Sequence, residues 1–200
     1  MPIGAGRLAK IGVLAIQGDF DEHRLTLRSI GVDSKEVRLP EDLESLTGLI
    51  IPGGESTTMV QLIDAYGLRN PIKEFAEDGM GIWGTCAGMI VIADKLIDKR
   101  PSPLGLMNIE VSRNAFGRQR DSFEAHLSVS QVEGPPVHAL FIRAPIVTKV
   151  EDGVEILAQL ETGEPVAVRQ GKLLATSFHP ELTGDTRMHQ LFIDITQSNT

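Results

Sequence analysis

The chain has 200 residues, 42% of them hydrophobic, a formal net charge of −8 and one cysteine. Such a length buries roughly 70% of the unfolded chain's surface in one domain-sized unit, and no run reaches the roughly 18 apolar residues of a membrane helix. An acidic balance argues against a general nucleic-acid binder, which needs a basic stripe. One cysteine makes neither an internal disulfide nor a thiolate metal cluster, so a reducing cytoplasm is expected, with no metal and no cofactor.

Residues 1–9 lack the apolar core of a signal peptide and read as a short disordered extension, leaving 10–200 as a single domain. Ile11–Ile16 is a continuous apolar run of the kind a parallel sheet buries on both faces. A helix of mixed polarity follows from about Phe20 to Ile30, stopped by Gly31. Val32–Leu39 and Gly48–Ile51 return as strands, the second ending at Pro52-Gly53-Gly54. Ser56 is an expected N-cap for a helix through Met59, Leu62 and Ile63. A further helix is expected over Asn70–Glu77, a buried strand over Met80–Trp83 and an apolar helix over Met89–Leu96, before Pro101-Ser-Pro103 breaks the pattern.

The stretch from Ile109 to Ala158 reads as strand-rich, with Leu127–Val129 and Ala139–Ile142 as its clearest strands. Val166–Gln170 and Leu173–Phe178 form a hairpin pattern around Gly171-Lys172, and a helix over about Arg187–Thr196 closes the chain. Alternating strands and helices of this kind predict an α/β three-layer sandwich, a mostly parallel central sheet flanked by helices, with a small antiparallel extension.

Gly84-Thr-Cys86-Ala-Gly88 lies between an apolar strand and an apolar helix. Its glycines flank the cysteine at −2 and +2, the spacing of a nucleophile elbow. A strand turning sharply into a helix strains the central residue and crowds its neighbours, which glycine accommodates. The elbow also sets the sulfur at a helix N-terminus, whose partial positive charge favours thiolate. A buried structural cysteine is the plainer reading of an isolated one, and the flanking glycines weigh against it.

A thiol nucleophile needs a base, and the base needs orienting. Phe178-His179-Pro180-Glu181 supplies both: Pro180 disfavours helix at His179, and in an extended segment residues 179 and 181 project to the same side. Glu181 then holds one ring nitrogen of His179 while the other faces Cys86. His23, His126, His138 and His189 lack this setting, and a solvated or capping role is expected for each.

Pro52-Gly53-Gly54-Glu55-Ser56 closes a strand on the edge where open α/β sheets bind ligands. The N–H of Gly54, with that of Ala87 after the nucleophile, is the expected oxyanion hole, one such donor contributing roughly 2.7–4 kcal/mol in a measured protease. An ordinary Gly-Gly turn before a capped helix is the competing reading. The loop is too short for a P-loop and lacks its Gly-Lys-Ser/Thr ending.

At these residues the chain resembles the class I, triad-type glutamine amidotransferases, a flavodoxin-like fold family. More narrowly it is similar to the glutaminase subunits of pyridoxal 5′-phosphate synthase. The likeness runs through residues 11–18, Leu49-Ile-Ile-Pro-Gly-Gly-Glu-Ser-Thr-Thr-Met59, the cysteine elbow, Arg113-Asn-Ala-Phe-Gly-Arg-Gln119, Phe141-Ile-Arg-Ala-Pro145 and Ser177-Phe-His-Pro-Glu-Leu-Thr183. Ile90, where many amidotransferases carry glutamine, favours the narrower group.

The resemblance implies hydrolysis of L-glutamine to glutamate and ammonia through Cys86, His179 and Glu181. It implies glutamine-binding residues Gly54, Glu55, Ser56, Arg113, Ile142 and Arg143; a guanidinium grips an amino-acid carboxylate bidentately. It also implies a separate, barrel-shaped synthase subunit as partner, receiving the ammonia for vitamin B6 synthesis, with Gln17-Gly18 and the following helix as interface elements. Two alternatives stay open: a cysteine hydrolase of γ-glutamyl peptides acting without a partner, and a non-catalytic binding module that kept the fold.

Overall fold

The computed structural model describes residues 9–113 and 122–198. The expected extension at 1–9 therefore lies outside the described residues except for Ala9, as does most of the Arg113–Gln119 segment.

The elements follow in chain order: β1 (Ile11–Leu14), α1 (Phe20–Ser29), β2 (Ser34–Val37), β3 (Gly48–Ile51), α2 (Ser56–Ala65), α3 (Arg69–Glu77), β4 (Gly81–Thr85) and α4 (Ala87–Ile92). Then come β5 (Ala93–Leu96), β6 (Met107–Ser112), β7 (Ser122–Leu127), β8 (Val137–Ile142), β9 (Ile146–Val150), β10 (Glu155–Gln159), β11 (Pro165–Gln170), β12 (Leu173–Thr176) and α5 (Arg187–Gln197).

The central sheet runs β10-β11-β12-β4-β3-β1-β2. Its pairings from β12 to β2 are parallel, and β10 and β11 add an antiparallel edge. β1, β3 and β4 are buried along their whole length, as continuous apolar runs in a doubly covered sheet must be. Side-chain alternation divides them between two cores. Leu49, Ile51 and Ile82 join the layer with Met59, Ile63 and Phe75 of α2 and α3. Ile50 and Trp83 join the layer with Leu27 of α1 and Phe192 of α5. The three-layer, mostly parallel architecture is as the sequence predicts. Among the described residues no helix is long and apolar enough to cross a membrane.

Several local expectations differ. The apolar run after the elbow is helical only to Ile92, and residues 93–96 pair with β6, which in turn pairs with β9, in a small separate sheet. Every residue of α4 is buried, so the run carries no helical face to mark its end. The strand expected at 127–129 is instead Ser122–Leu127, paired antiparallel with β8. Ser56 is not the N-cap: Glu55 is, its carboxylate accepting from the N–H groups of Thr57 (3.1 Å) and Thr58 (2.6 Å).

The strand order places β2-β1-β3-β4 about a switch point between β1 and β3, where the crossovers leave in opposite directions. The loops after β1, β3, β4 and β12 meet above that edge of the sheet and carry the site.

Candidate active site

Cys86 joins β4 to α4 with φ 47° and ψ −105°, a conformation that side-chain-bearing residues rarely adopt and that costs of order 1–3 kcal/mol. Surrounding structure holds it there. Its N–H donates to Thr176 O at 2.8 Å, carrying the β4–β12 pairing one residue further. The flanking glycines are required by close approach. A Cβ on Gly84 would lie 2.4 Å from the carbonyl of Gly88, and one on Gly88 would lie 2.0 Å from Ile51 O. The elbow thus wedges the start of α4 against the end of β3.

β12 ends at Thr176, and the next residues keep the chain in register: Ser177 N–H donates to Val166 O at 2.8 Å and His179 N–H to Leu140 O at 2.9 Å. His179 Nδ1 lies 2.7 Å from Glu181 Oε1. The geometry that joins them differs from the extended segment expected. Pro180 opens a short 3-10 turn, Pro180–Leu182, and Glu181 folds back to His179 from inside it. Proline's fixed φ suits the first helical position, so the residue that bars helix at 179 starts a turn at 180.

His179 is pushed up to about 10. Burial opposes its charge, but hydrogen bonds to Cys86 and Glu181 and the attraction of both outweigh it. A raised imidazole between a thiol and a carboxylate is an imidazolium at neutral pH, the partner a thiolate needs. Burial pushes the Glu181 carboxyl above the ordinary range, against the pull of His179. Asp19 adds a second carboxylate, its Oδ2 3.5 Å from His179 Nδ1.

A pocket of about 510 Å³ opens over Cys86, within the range of small-ligand clefts. Cys86, Ala87, His179, Gly54, Glu55, Ser56, Arg113, Ile142 and Arg143 all line it, so those expected site residues converge, with Glu181 behind His179. The Cys86 sulfur sits 3.8 Å from Ile142 O. Gly54 has φ 150°, and a Cβ there would meet the Gln17 side chain at 2.4 Å. Gln17 Oε1 accepts the Glu55 N–H at 3.1 Å and so ties the loop after β1 to the loop after β3. Glu55 is held below its ordinary range because the Thr57 and Thr58 hydrogen bonds outweigh its partial burial, and Arg113 Nη2 donates to it at 3.3 Å. The pocket lining therefore offers a cation and an anion side by side, a match for a zwitterion.

Gln17, Asp19, Ile90 and Leu182 also line the pocket, and sequence reasoning did not choose them for it. It also misplaced two histidines. His23 and His189 are fully buried rather than solvated, within a cluster that includes Thr85, Trp83 and Glu181. His138 is half-exposed and pairs with Glu124 at 2.7 Å. His126, also at the surface, stacks on it.

The model of the SNO glutamine amidotransferase family matches residues 13–198. The chain is 53% identical over 191 residues to the pyridoxal 5′-phosphate synthase subunit PdxT of Parafrankia sp. (strain EAN1pec), covering 94% of each. It is 54% identical over 188 residues to the protein of the same name from Herpetosiphon aurantiacus, covering 92% of this chain and 99% of that one. A crystal structure of a glutamine amidotransferase superposes with a TM-score of 0.89 at 46% identity, over 94% of this chain and 99% of the other. A match over nearly the whole chain, together with the strained cysteine and its histidine, gives the assignment: the chain belongs to the SNO glutamine amidotransferase family and is a glutamine amidotransferase.

Proposed function

We propose that this amidotransferase is the glutaminase subunit of a pyridoxal 5′-phosphate synthase, hydrolysing L-glutamine through a Cys86-His179-Glu181 triad. The observation that carries the reading is one pocket holding a strained cysteine, a histidine backed by a carboxylate and a facing Arg113–Glu55 pair.

The substrate's α-carboxylate meets Arg113 or Arg143 and its α-ammonium meets Glu55, leaving the side-chain amide over Cys86. Thiolate attacks the amide carbon, and the oxyanion is held by the N–H groups of Gly54 and Ala87. His179 gives its proton to the amide nitrogen, the C–N bond breaks and ammonia leaves, with a γ-glutamyl thioester remaining. Water then attacks the thioester as His179 takes its proton; the C–S bond breaks, releasing glutamate and restoring the thiolate. Ser56 and Ile142 shape the pocket walls around the chain of the substrate.

Residues 10–200 act as one glutaminase unit in the cytoplasm, where the single cysteine stays reduced. Ammonia passes to a barrel-shaped synthase subunit. Gln17-Gly18 and α1, whose Leu25 is 64% exposed, form the face offered to that partner. The Gly53-Gly54 peptide supplies the control, its turn setting whether the oxyanion hole is formed.

Ammonia release from glutamine, measured with and without the synthase subunit, tests this. Cys86→Ala is expected to abolish release while glutamine still binds. Substantial turnover by that variant would remove Cys86 as nucleophile, and equal rates with and without the synthase would remove partner control. Glutamate released from γ-glutamyl peptides, with no ammonia from glutamine, would favour the peptide hydrolase instead.

A further inference from the structure

Glu181 spends one oxygen on His179. The other, Oε2, is fully buried and makes no hydrogen bond of ordinary geometry among the described residues. The polar atom facing it is His23 Nε2, 3.4 Å away, with both side chains 0% exposed. The same Nε2 lies 3.1 Å from Thr85 Oγ1, and on the far side of the ring His23 Nδ1 lies 2.9 Å from His189 Nε2. Trp83 closes the cluster edge-on against both imidazoles, at 5.7 and 4.9 Å between ring centres.

Donor and acceptor counting fixes the protons. Burial holds His23 well below its ordinary range, with His189 and His179 adding to the effect, and burial lowers His189 to about 3, so each ring is neutral and carries one N–H. If His23 carried its proton on Nδ1, His189 Nε2 would be the acceptor and its proton would sit on Nδ1. That atom is buried with no partner among the described residues. The His23 Nε2 lone pair, though able to accept from the Thr85 hydroxyl, would also face the Glu181 carboxylate. In the opposite arrangement His189 Nε2–H donates to His23 Nδ1, and His23 Nε2–H donates to Thr85 Oγ1 with Glu181 Oε2 beside it at 3.4 Å. Only a lone pair on His189 is then left alone, and an orphaned lone pair costs less than an orphaned N–H.

We propose that His23, itself fixed by His189, is a positioning residue of the triad: its Nε2–H, held by Thr85, lies beside the second oxygen of Glu181, its positive end favouring the ionised carboxylate in the plane that serves His179. The proposal rests on the triad reading above and extends it by one residue. Burial alone favours the neutral acid at Glu181, which cannot accept the imidazolium's N–H as strongly. A ring N–H lying 3.4 Å from Oε2 opposes that. Groups that bear on Glu181 are His179 on its own segment, Asp19 before α1, His23 on α1, His189 on α5 and Cys86 through His179. On β8 the titratable group is His138, engaged with Glu124.

The test compares glutaminase kinetics of the full chain, with the synthase subunit present and active sites counted by a glutamine-analogue electrophile. The variants are His23→Leu, His23→Gln and Glu181→Gln. His23→Leu is expected to lower kcat about tenfold with KM within about twofold, and to move the acid limb of kcat/KM up by about one pH unit. His23→Gln, which restores an N–H near the Nε2 position, is expected within about threefold of the parent. A purely structural role would leave the acid limb in place. Parental kcat and acid limb in His23→Leu, with Glu181→Gln impaired, would overturn the role of His23 and leave the triad standing. Parental turnover in Glu181→Gln would overturn the triad reading and this proposal with it. Should His23→Leu not fold, ring 15N shifts of the unsubstituted protein decide: the Nε2–H tautomer at His23 is expected, and an Nδ1–H tautomer refutes the proposal.

Discussion

The buried histidine pair makes the protein acid-labile in a way that can be calculated. His23 and His189 are fully buried and depressed, His189 to about 3, so His189 binds no proton in the folded state at pH 5 and His23 is shifted the same way. In the unfolded chain both titrate near 6.5. The sign follows: a depressed folded value gives stability that is present above pH ~6.5 and lost as the pH falls below it. For His189, lowering the pH from about 7 to about 5 costs roughly 2 kcal/mol at 1.36 kcal/mol per pH unit, and His23 adds a loss of the same sign. His179, raised to about 10, works the other way. Its contribution is complete only below about 6.5, and it returns about 1 kcal/mol over the same interval, less than His189 alone loses. Against a total stability of about 5–15 kcal/mol the remaining loss is a large fraction. Urea unfolding at the two pH values measures it. His189→Phe keeps a ring against Trp83 and is expected to shrink the pH-dependent loss by about 2 kcal/mol. A loss under about 1 kcal/mol in the parent protein, or the same loss in His189→Phe, would refute the reasoning.

Two further outcomes are expected. NMR titration should find the His179 imidazolium persisting to about pH 10 and titrating at least one unit lower in Cys86→Ala, because the hydrogen bond and attraction of the sulfur are gone; equal midpoints would show that Cys86 does not hold the proton there. Gly88→Ala should cost about 3 kcal/mol or more, as measured by thermal unfolding, and abolish glutaminase activity, because the added methyl meets the Ile51 carbonyl at 2.0 Å with backbone on both sides.

The parts of the site that were legible in sequence are those whose chemistry is local. The glycines at −2 and +2 of Cys86 are a steric requirement written within five residues, and His179 and Glu181 are joined within three. β1, β3 and β4 were readable because burial on both faces leaves an unbroken apolar run. The end of α4 was not, since Ala87–Ile92 is buried all round and shows no helical face. Glu55 displaced Ser56 as the cap because its longer side chain reaches back to two N–H groups, a choice between neighbours that pattern alone does not make. His23 and His189 were misread for another reason. His23 sits between Glu22 and Arg24 in a helix of mixed polarity, and its partners are 62 and 166 residues away in sequence. Such a cluster exists only once α1 and α5 have been laid on the same face of the sheet.

Cys86 carries the only thiol in the chain, and the residue is 94% covered at the base of the pocket. Every thiol equivalent detected on the intact protein is therefore one copy of the proposed catalytic centre. Mass addition by an electrophile counts competent molecules, and slowing of that addition by glutamine reads occupancy directly. A preparation of this enzyme carries its own internal standard, with no reporter to install.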